Sequence, residues 1–599
     1  MYHADAADEQ KVKGSAVAFS QNNEVLILYK EGEAEAAKTS ATEAGFVVVE
    51  DYKPGRFLRC TPPRPAPAPG GRSFAARLNS IATSEAVRVV EPNFVVSIPR
   101  PPVEPAGGVA VASAKRRQGR ARTTSTAPDD PKLSELWGMT NINAPTAWGK
   151  VNESPAVVVA VIDTGVDYTH EDLAKNMWKN PGEIPGNDLD DDGNGIKDDV
   201  HGAKFANNVA SGDPKDDNRH GTHCAGTIGA EGNNHLGVIG VTWKVQIMAL
   251  KFLDADGSGT TNDAIRCIDY AIAQKNKGVN VRVLSNSWGG GGESQALAEA
   301  ITRSEQAGML FVAAAGNEGK NNDITPNFPS NYPNPNVFAV AAIDISEQLP
   351  NFSCFGATMV DIGAPGVGIL SSIPGNGYEK LTGTSMATPH VAGAAALALA
   401  HADHQSKSGL EIKALLMQKA RPIGSLSGKC VTGATLDIAF LGSTNGGTPP
   451  VPIPFPEAIA FLGELSGQGG AFALNGSTGE ARYTLGGTLF SSNLEAKAIE
   501  TTPDGFEGWV YREDFPTQPF DFLFTRGTIG NAPYHRVYLR PAEETGAQFS
   551  FYLDVSQSSV FSTSASASGT RRYDVIKERV ESLKRQAQPQ NNASSSRGR

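Results

Sequence analysis

VVVAVIDTGVD, residues 157–167, is the stretch on which the fold turns. Val157 to Ile162 run without a polar break and end at Asp163, followed by Thr164 and Gly165. A strand with one face in water alternates polar and apolar residues, whereas a strand apolar at every position is buried on both faces, as in a parallel sheet covered by helices. Similar runs recur at Val245–Leu250, Val281–Leu284, Met309–Ala315 and Val337–Ile343, separated by helix-like segments such as Asn262–Gln274 and Gln295–Gln306. This alternation predicts an α/β domain over residues 131–442, its parallel sheet covered by helices. The Gly-rich signals DTGVD, SNSWGGGG and GNEG come directly after these strands, where open α/β sheets place their ligand sites.

At 599 residues the chain has room for three or four folding units of about 100–200 residues each. Its 53 Lys+Arg against 64 Asp+Glu leave a net charge of −11, which recruits neither nucleic acid nor an anionic membrane. The Cys residues at 60, 224, 267, 354 and 430 are too scattered for a disulfide scaffold, a Cys-based zinc site or an iron–sulfur cluster. The longest apolar run, Val391 to Ala400, is about half a bilayer span and reads as a core helix, so no membrane span is expected.

Before the α/β domain, residues 16–99 read as a small α+β unit with strand-like runs at Val25–Tyr29, Phe46–Glu50 and Phe94–Ile98, interrupted by a Pro-rich stretch at Pro62–Gly71. Residues 100–130 have almost nothing to pack and carry a basic centre at Lys115, Arg116, Arg117, Arg120 and Arg122, which fits a cleavable tether or a merely solvated linker. A Gly/Pro linker comes next at 443–454, then a β-rich, sandwich-like C-terminal domain over 455–568. The end, 569–599, reads as a short helix, with Ile576, Val580 and Leu583 on one stripe, and a disordered tail.

Three islands could carry chemistry. Asp163 ends a buried strand, where a carboxylate is costly unless paired, although a helix-capping role is open. RHGTHCAGTIGA holds His220 and His223 near one helical face; no HExxH pattern or spaced carboxylate completes a zinc set, and spacing alone does not say which imidazole is a base. Ser385 opens an Ala-rich helix, where it is a plain cap or a nucleophile beside backbone N–H groups suited to an oxyanion.

Taken in order, DTGVD at 163–167, HGTHCAG at 220–226 and GTSMATPHVAG at 383–393, with AAAGNEG at 313–319, resemble the subtilisin-like serine proteases (subtilases, peptidase S8), of the proteinase K and thermitase type made as precursors with an inhibitory pro-domain. The resemblance covers roughly residues 131–442 and implies a serine endopeptidase working through an acyl-enzyme. It makes Asp163 the orienting carboxylate, His220 the general base, Ser385 the nucleophile and Asn317 the side-chain donor to the oxyanion, with His223 structural. It also makes Gly257, Ser258 and Gly259 an edge strand for extended polypeptide substrates, and Ser287, Trp288 and Gly289 the opposing one. The pocket for the residue before the cut bond would lie between Ser287–Gly289 and Ala314–Gly316, with Ala315 and Gly316 as small walls. No acidic residue occurs in either stretch, which suggests room for a large apolar side chain. Trp288 departs from the family's common Leu, and Cys224 would be a free thiol beneath the catalytic imidazole.

A calcium site is suggested by GNDLDDDGNGIKDD, residues 186–199. Asp190, Asp192 and Asn194 at alternate positions, then Gly195, mimic the first half of an EF-hand loop, but the twelfth position is His201 rather than Glu. Asp188, Asp198 or Asp199 would close the shell around a structural Ca²⁺; an acidic exposed loop is the other reading. VRVVEPNFVVS at 87–97 resembles the last strand region of a pro-domain, which implies that the chain's own N-terminal unit is its intramolecular inhibitor, with the tail in the cleft and processing within 100–130, where Lys115–Arg117 offers a processing point. The rival from another class is a catalytically silent, calcium-stabilised binding protein on a protease fold. Family habit points to a secreted or vesicular protein, while MYHADAADEQ lacks the order of a secretion signal.

Overall fold

The computed structural model describes residues 24–62, 73–99 and 128–442, together with the strands lying between 459 and 556. The Pro-rich stretch at 63–72, the basic part of the tether, the 443–454 linker and the helix expected at Tyr573–Lys584 with its tail lie outside the described residues.

The strand Glu153–Asp163 belongs to a nine-stranded sheet in the order 421–422, 434–435, 362–365, 337–343, 310–314, 281–286, 153–163, 244–251, 202–204. Every neighbouring pair is parallel except the edge pair Arg421–Pro422 and Ala434–Thr435. Successive strand residues point to opposite faces. Val157, Val159 and Val161 accordingly join one core with the helices His220–Gly229 and Thr384–Ala400, and Val158, Ala160 and Ile162 join a second with Thr261–Asn276 and Gln295–Gln306. Each fully buried Val or Ile contributes about 1.5–3 kcal/mol, which explains why the run tolerates no polar alternation. Thr384–Ala400 is buried nearly all round, so its composition is small and apolar rather than amphipathic.

The N-terminal residues form a four-stranded antiparallel sheet in the order Val47–Tyr52, Phe57–Thr61, Val25–Tyr29, Val87–Pro92. VLILY at 25–29 obeys the same two-face rule. Val25, Ile27 and Tyr29 face a core shared with the helices Ala34–Glu43 and Phe74–Ala82, while Leu26 and Leu28, with Phe57 and Val89, join the core of the helices Thr261–Asn276 and Gln295–Gln306. Polar contacts tie the same surfaces. Arg88 forms a two-pronged pair with Glu299 at 2.8 and 3.1 Å. Glu91 accepts from Ser294 Oγ at 2.7 Å and from the backbone N–H groups of Gln295 and Ala296 at 2.8 and 3.1 Å, capping that helix.

Residues up to Ser443 form one compact unit and residues from Thr444 a second. In the second, eight strands from Ile459–Leu465 to Phe551–Ser556 pair antiparallel with their sequence neighbours, and the last returns to the first through Glu464↔Ser556 and Leu465↔Val555. This is a closed barrel, which corrects the expectation of a sandwich. Short alternating runs bounded by turns read alike for both architectures; closure is a property of the pairing and removes the free edges a sandwich keeps. Among the described residues no helix is long and apolar enough to cross a membrane, and all five Cys are buried and free.

Candidate active site

Asp163 is the last residue of its strand and His220 the first of its helix, 57 positions apart. The two elements meet because residue 221 is Gly: a Cβ there would collide with the Gly165 carbonyl oxygen. His220 Nδ1 donates to Asp163 Oδ1 at 2.8 Å, and Thr164 N donates to the same oxygen at 2.7 Å. Because a carboxylate only accepts, this bond puts the imidazole proton on Nδ1 and leaves Nε2 with a lone pair. Nε2 is buried and has no hydrogen-bond partner among the described residues.

Asp216, which no sequence motif marks, fastens the junction. Its carboxylate accepts from Thr164 Oγ1 at 2.9 Å, from Thr222 N and Oγ1 at 3.0 and 2.6 Å, and from Asn218 N and Arg219 N at 2.9 and 3.0 Å. The only sequence signal for it is the acidic approach DPKDDNRH to the histidine. His223 lies on the buried side of the helix, with Nε2 at 2.9 Å from Ile369 O, and burial lowers its pKa to about 3, so it stays neutral. Burial likewise pushes the Cys224 thiol well up, which keeps it protonated.

Ser385 stands in the first turn of its helix, beside this pair. Cys224 Sγ, within 4.8 Å of the ligand atoms of Asp163 and His220, also lies 3.5 Å from the Ser385 carbonyl oxygen. Ser385 Oγ donates to Ser287 O at 3.0 Å, and Ser287 Oγ returns a bond to Ser385 O at 2.9 Å. The hydrogen bond from Ser385 to His220 implied by the resemblance is therefore not formed in this structure; catalytic hydrogen bonds often tighten only around substrate. Asn317 lies just beyond the strand Leu310–Ala314, and its Oδ1 accepts from Thr384 N and Oγ1, both at 2.9 Å. Those two donors fix the amide, so that Nδ2 donates to the carbonyl oxygen of Pro99 at 3.4 Å.

Pro99 lies two residues beyond the strand Val95–Ser97, which the chain lays across its own sheet ends. Val95, Val96 and Ser97 pair antiparallel with Thr260, Gly259 and Ser258. Ile98 N continues that side by donating to Gly257 O at 2.9 Å, while on the opposite side Ser97 exchanges both backbone hydrogen bonds with Gly289 at 2.9 Å. The stretches expected to hold an extended peptide thus hold residues 95–98 as a middle strand. Trp288 is buried edge-on against Phe252 at 4.9 Å, and Val96 packs in the same apolar cluster. The two stretches themselves carry no acidic residue, but the fold brings side chains from elsewhere against them. A Cβ on Gly316 would meet Glu318 Oε2 at 2.9 Å and Asn327 Cγ at 3.2 Å, and one on Gly289 would meet Asn327 Nδ2 at 3.2 Å. Asn327 therefore stands between the two glycine walls, brought there by a loop that neither local stretch reveals.

In the acidic loop, Asp198 accepts from the backbone N–H groups of Gly186, Asn187 and Asp188, and Asp190 from those of Asn194 and Gly195. Asp188 reaches outward to Lys197 at 3.5 Å. The carboxylates that converge are Asp192 and Asp199 with Glu183, their oxygens within 4.8 Å of one another. Glu183 lies upstream of the 186–199 stretch and carries no EF-hand spacing. Asn194 Nδ2 and Tyr270 Oη donate to Asp199 at 2.7 and 2.6 Å, yet burial pushes its carboxyl up to about 6. An all-oxygen set of this kind can hold a hard metal ion. The other cluster of ligand-type atoms, Asp163, His220 and Cys224, has its carboxylate and imidazole already joined.

The Subtilase family model matches residues 154–448. The chain is 36% identical to thermitase of Thermoactinomyces vulgaris over 297 residues, which is 49% of this chain and 92% of that protein. The chain belongs to the subtilase family. It is 38% identical to a thermophilic serine proteinase of Bacillus sp. (strain AK1), with 48% of this chain aligned to 62% of that one, and 34% identical to subtilisin-like protease 1 of Plasmodium vivax, with 48% aligned to 47%. As a subtilase it is a serine-type endopeptidase, and the matched region spans the α/β sheet while leaving the N-terminal sheet and most of the chain beyond the match uncovered.

Proposed function

We propose that Asp163, His220 and Ser385 carry out peptide-bond hydrolysis. Ser385 Oγ attacks the substrate carbonyl carbon while His220 Nε2 takes its proton, and Asp163 favours the imidazolium that results. Asn317 Nδ2 and the Ser385 backbone N–H receive the negative charge on the carbonyl oxygen. The amine leaves with the proton from His220, and water, activated by the same nitrogen, releases the acyl group from Ser385. What carries this reading is the stretch 95–99: its strand Val95–Ser97 threads the cleft as an extended substrate would, and Pro99 sets a peptide carbonyl against the Asn317 amide.

The same strand supports self-inhibition. Residues 24–99, held by Arg88, Glu91 and the apolar face of their sheet, fill the sites that a substrate polypeptide needs. The Pro99 carbonyl 3.4 Å from the Asn317 amide supports processing at the bond after Pro99 or in the tether beyond it. Glu183, Asp192 and Asp199, with Asn194, would hold Ca²⁺, whose charge relieves the repulsion among the three carboxylates. The C-terminal barrel is a separate unit with a role outside the hydrolysis itself.

A fluorophosphonate probe tests the core assignment. It is expected to label the chain covalently once the tether has been cut, and labelling should vanish in Ser385→Ala. Persistent labelling of that variant, folded by circular dichroism, would overturn the nucleophile.

A further inference from the structure

Asp263 stands in the first turn of the helix Thr261–Asn276, behind the strand that pairs with residues 95–97. Its Oδ2 accepts from Thr260 Oγ1 at 2.9 Å, but Oδ1 is buried with no hydrogen-bond partner among the described residues. A carboxylate at a helix N-terminus is favourable while water can reach it. Here residues 24–99 seal the helix end: Thr261 N donates to Phe94 O and Asn262 N to Asn93 Oδ1, each at 2.9 Å.

The charged and titratable groups facing Asp263 are Arg266 and Cys267 on its own helix, Arg59 on the strand Phe57–Thr61 and Glu24 just before Val25. Neither arginine is left for it. Arg59 pairs with Glu24 at 2.8 Å and Glu50 at 3.2 Å, and Arg266 approaches Glu50 at 3.9 Å. Two guanidinium groups are thus matched by two glutamates before Asp263 is counted, and a buried third carboxylate is better accommodated with its proton on. Burial, with Glu24 adding to it and Thr260, Arg266 and Arg59 only partly opposing, pushes the Asp263 carboxyl up to about 7.

We propose that Asp263 is a proton-operated latch on the cleft: residues 24–99 stay closed over it while its carboxyl is protonated and loosen when it ionises. This rests on the reading of residues 24–99 as the cover of the cleft. The sign comes from the two states. Covered, the Asp263 carboxyl is pushed up to about 7; uncovering relieves the burial and lets it fall back toward the ordinary 3.8. The extra stability of the closed state is fully present below about pH 4, is lost progressively as pH rises toward about 7, and changes no further above that, where both states are ionised.

The test uses hydrogen exchange on the full chain carrying Ser385→Ala, which keeps it intact, with the amides of Ser97, Ile98 and Thr261 tracked from about pH 5 to about pH 8. After correction for the intrinsic pH dependence of exchange, protection of these amides should fall by up to about tenfold per pH unit to about pH 7 and then level off. Adding Asp263→Asn, which has the same shape and no charge, should remove that slope and keep the protection of low pH. Amides of the central strand, such as Val159, report whether the variant is folded. An unchanged slope in Asp263→Asn overturns the latch while leaving the cover in place. Unprotected Ser97 and Ile98 at every pH overturn the cover, and the latch with it.

Discussion

The carboxyl ends of the central strands and the acidic loop at 186–199 both crowd carboxylates together, and they resolve the crowding in opposite ways. At the strand ends Asp163 and Asp216 are buried and, beside local donors, each takes one that arrives from a distant element: His220 lies 57 positions from Asp163, and Thr164 lies 52 from Asp216. In the loop, Asp190 and Asp198 are satisfied by backbone N–H groups no more than 12 positions away. Donors from distant elements exist only when the whole sheet is formed, so they hold a reacting group to a fixed position. Local donors let a loop keep its shape largely by itself and need only bring oxygens within reach of an ion. On the proposed function, chemistry depends on the first arrangement and stability on the second.

The sharpest break would come at the strand ends. With the tether cut by an added protease in every variant, Ser385→Ala is expected to lower kcat on a fluorogenic peptide by about a millionfold, and Asp163→Asn by about 10⁴-fold with the fold retained. Asn317→Ala should cost about 10²- to 10³-fold in kcat with KM little changed, because its amide bonds the charge that appears during the reaction; an effect mainly on KM would make it a binding residue instead. The loop should respond differently. Chelation is expected to lower the thermal midpoint by about 5–10 °C, reversed by added Ca²⁺, and Asp199→Ala should abolish that response while leaving kcat at saturating Ca²⁺ within about twofold. A large fall in kcat on changing the loop would erase the division between the two regions.

The central sheet was legible because VVVAVI admits no half-exposed reading, and the residues we propose to react stood out because each closes or opens an element that carries a distinctive motif. Asp216, Glu183 and Asn327 were not legible, since each reaches its place through a loop whose course depends on packing elsewhere. The acidic stretch advertised oxygen ligands, but Asp190 and Asp198 turned out to be occupied in shaping the turn. The C-terminal unit was legible as β-rich, and its closure into a barrel was not, because it rests on the pairing of Leu465 with Val555 across the whole unit.

If residues 24–99 are the cover we propose, VLILY at 25–29 also governs their fate once they leave the cleft. Leu26, Leu28, Phe57 and Val89 find their oily surroundings only on the helices behind the cleft. Parted from them, the unit would carry a greasy side with no cover of its own, an invitation to unravel and to be digested. On that proposal a two-sided strand would make opening a one-way event: the guard is consumed on leaving its post.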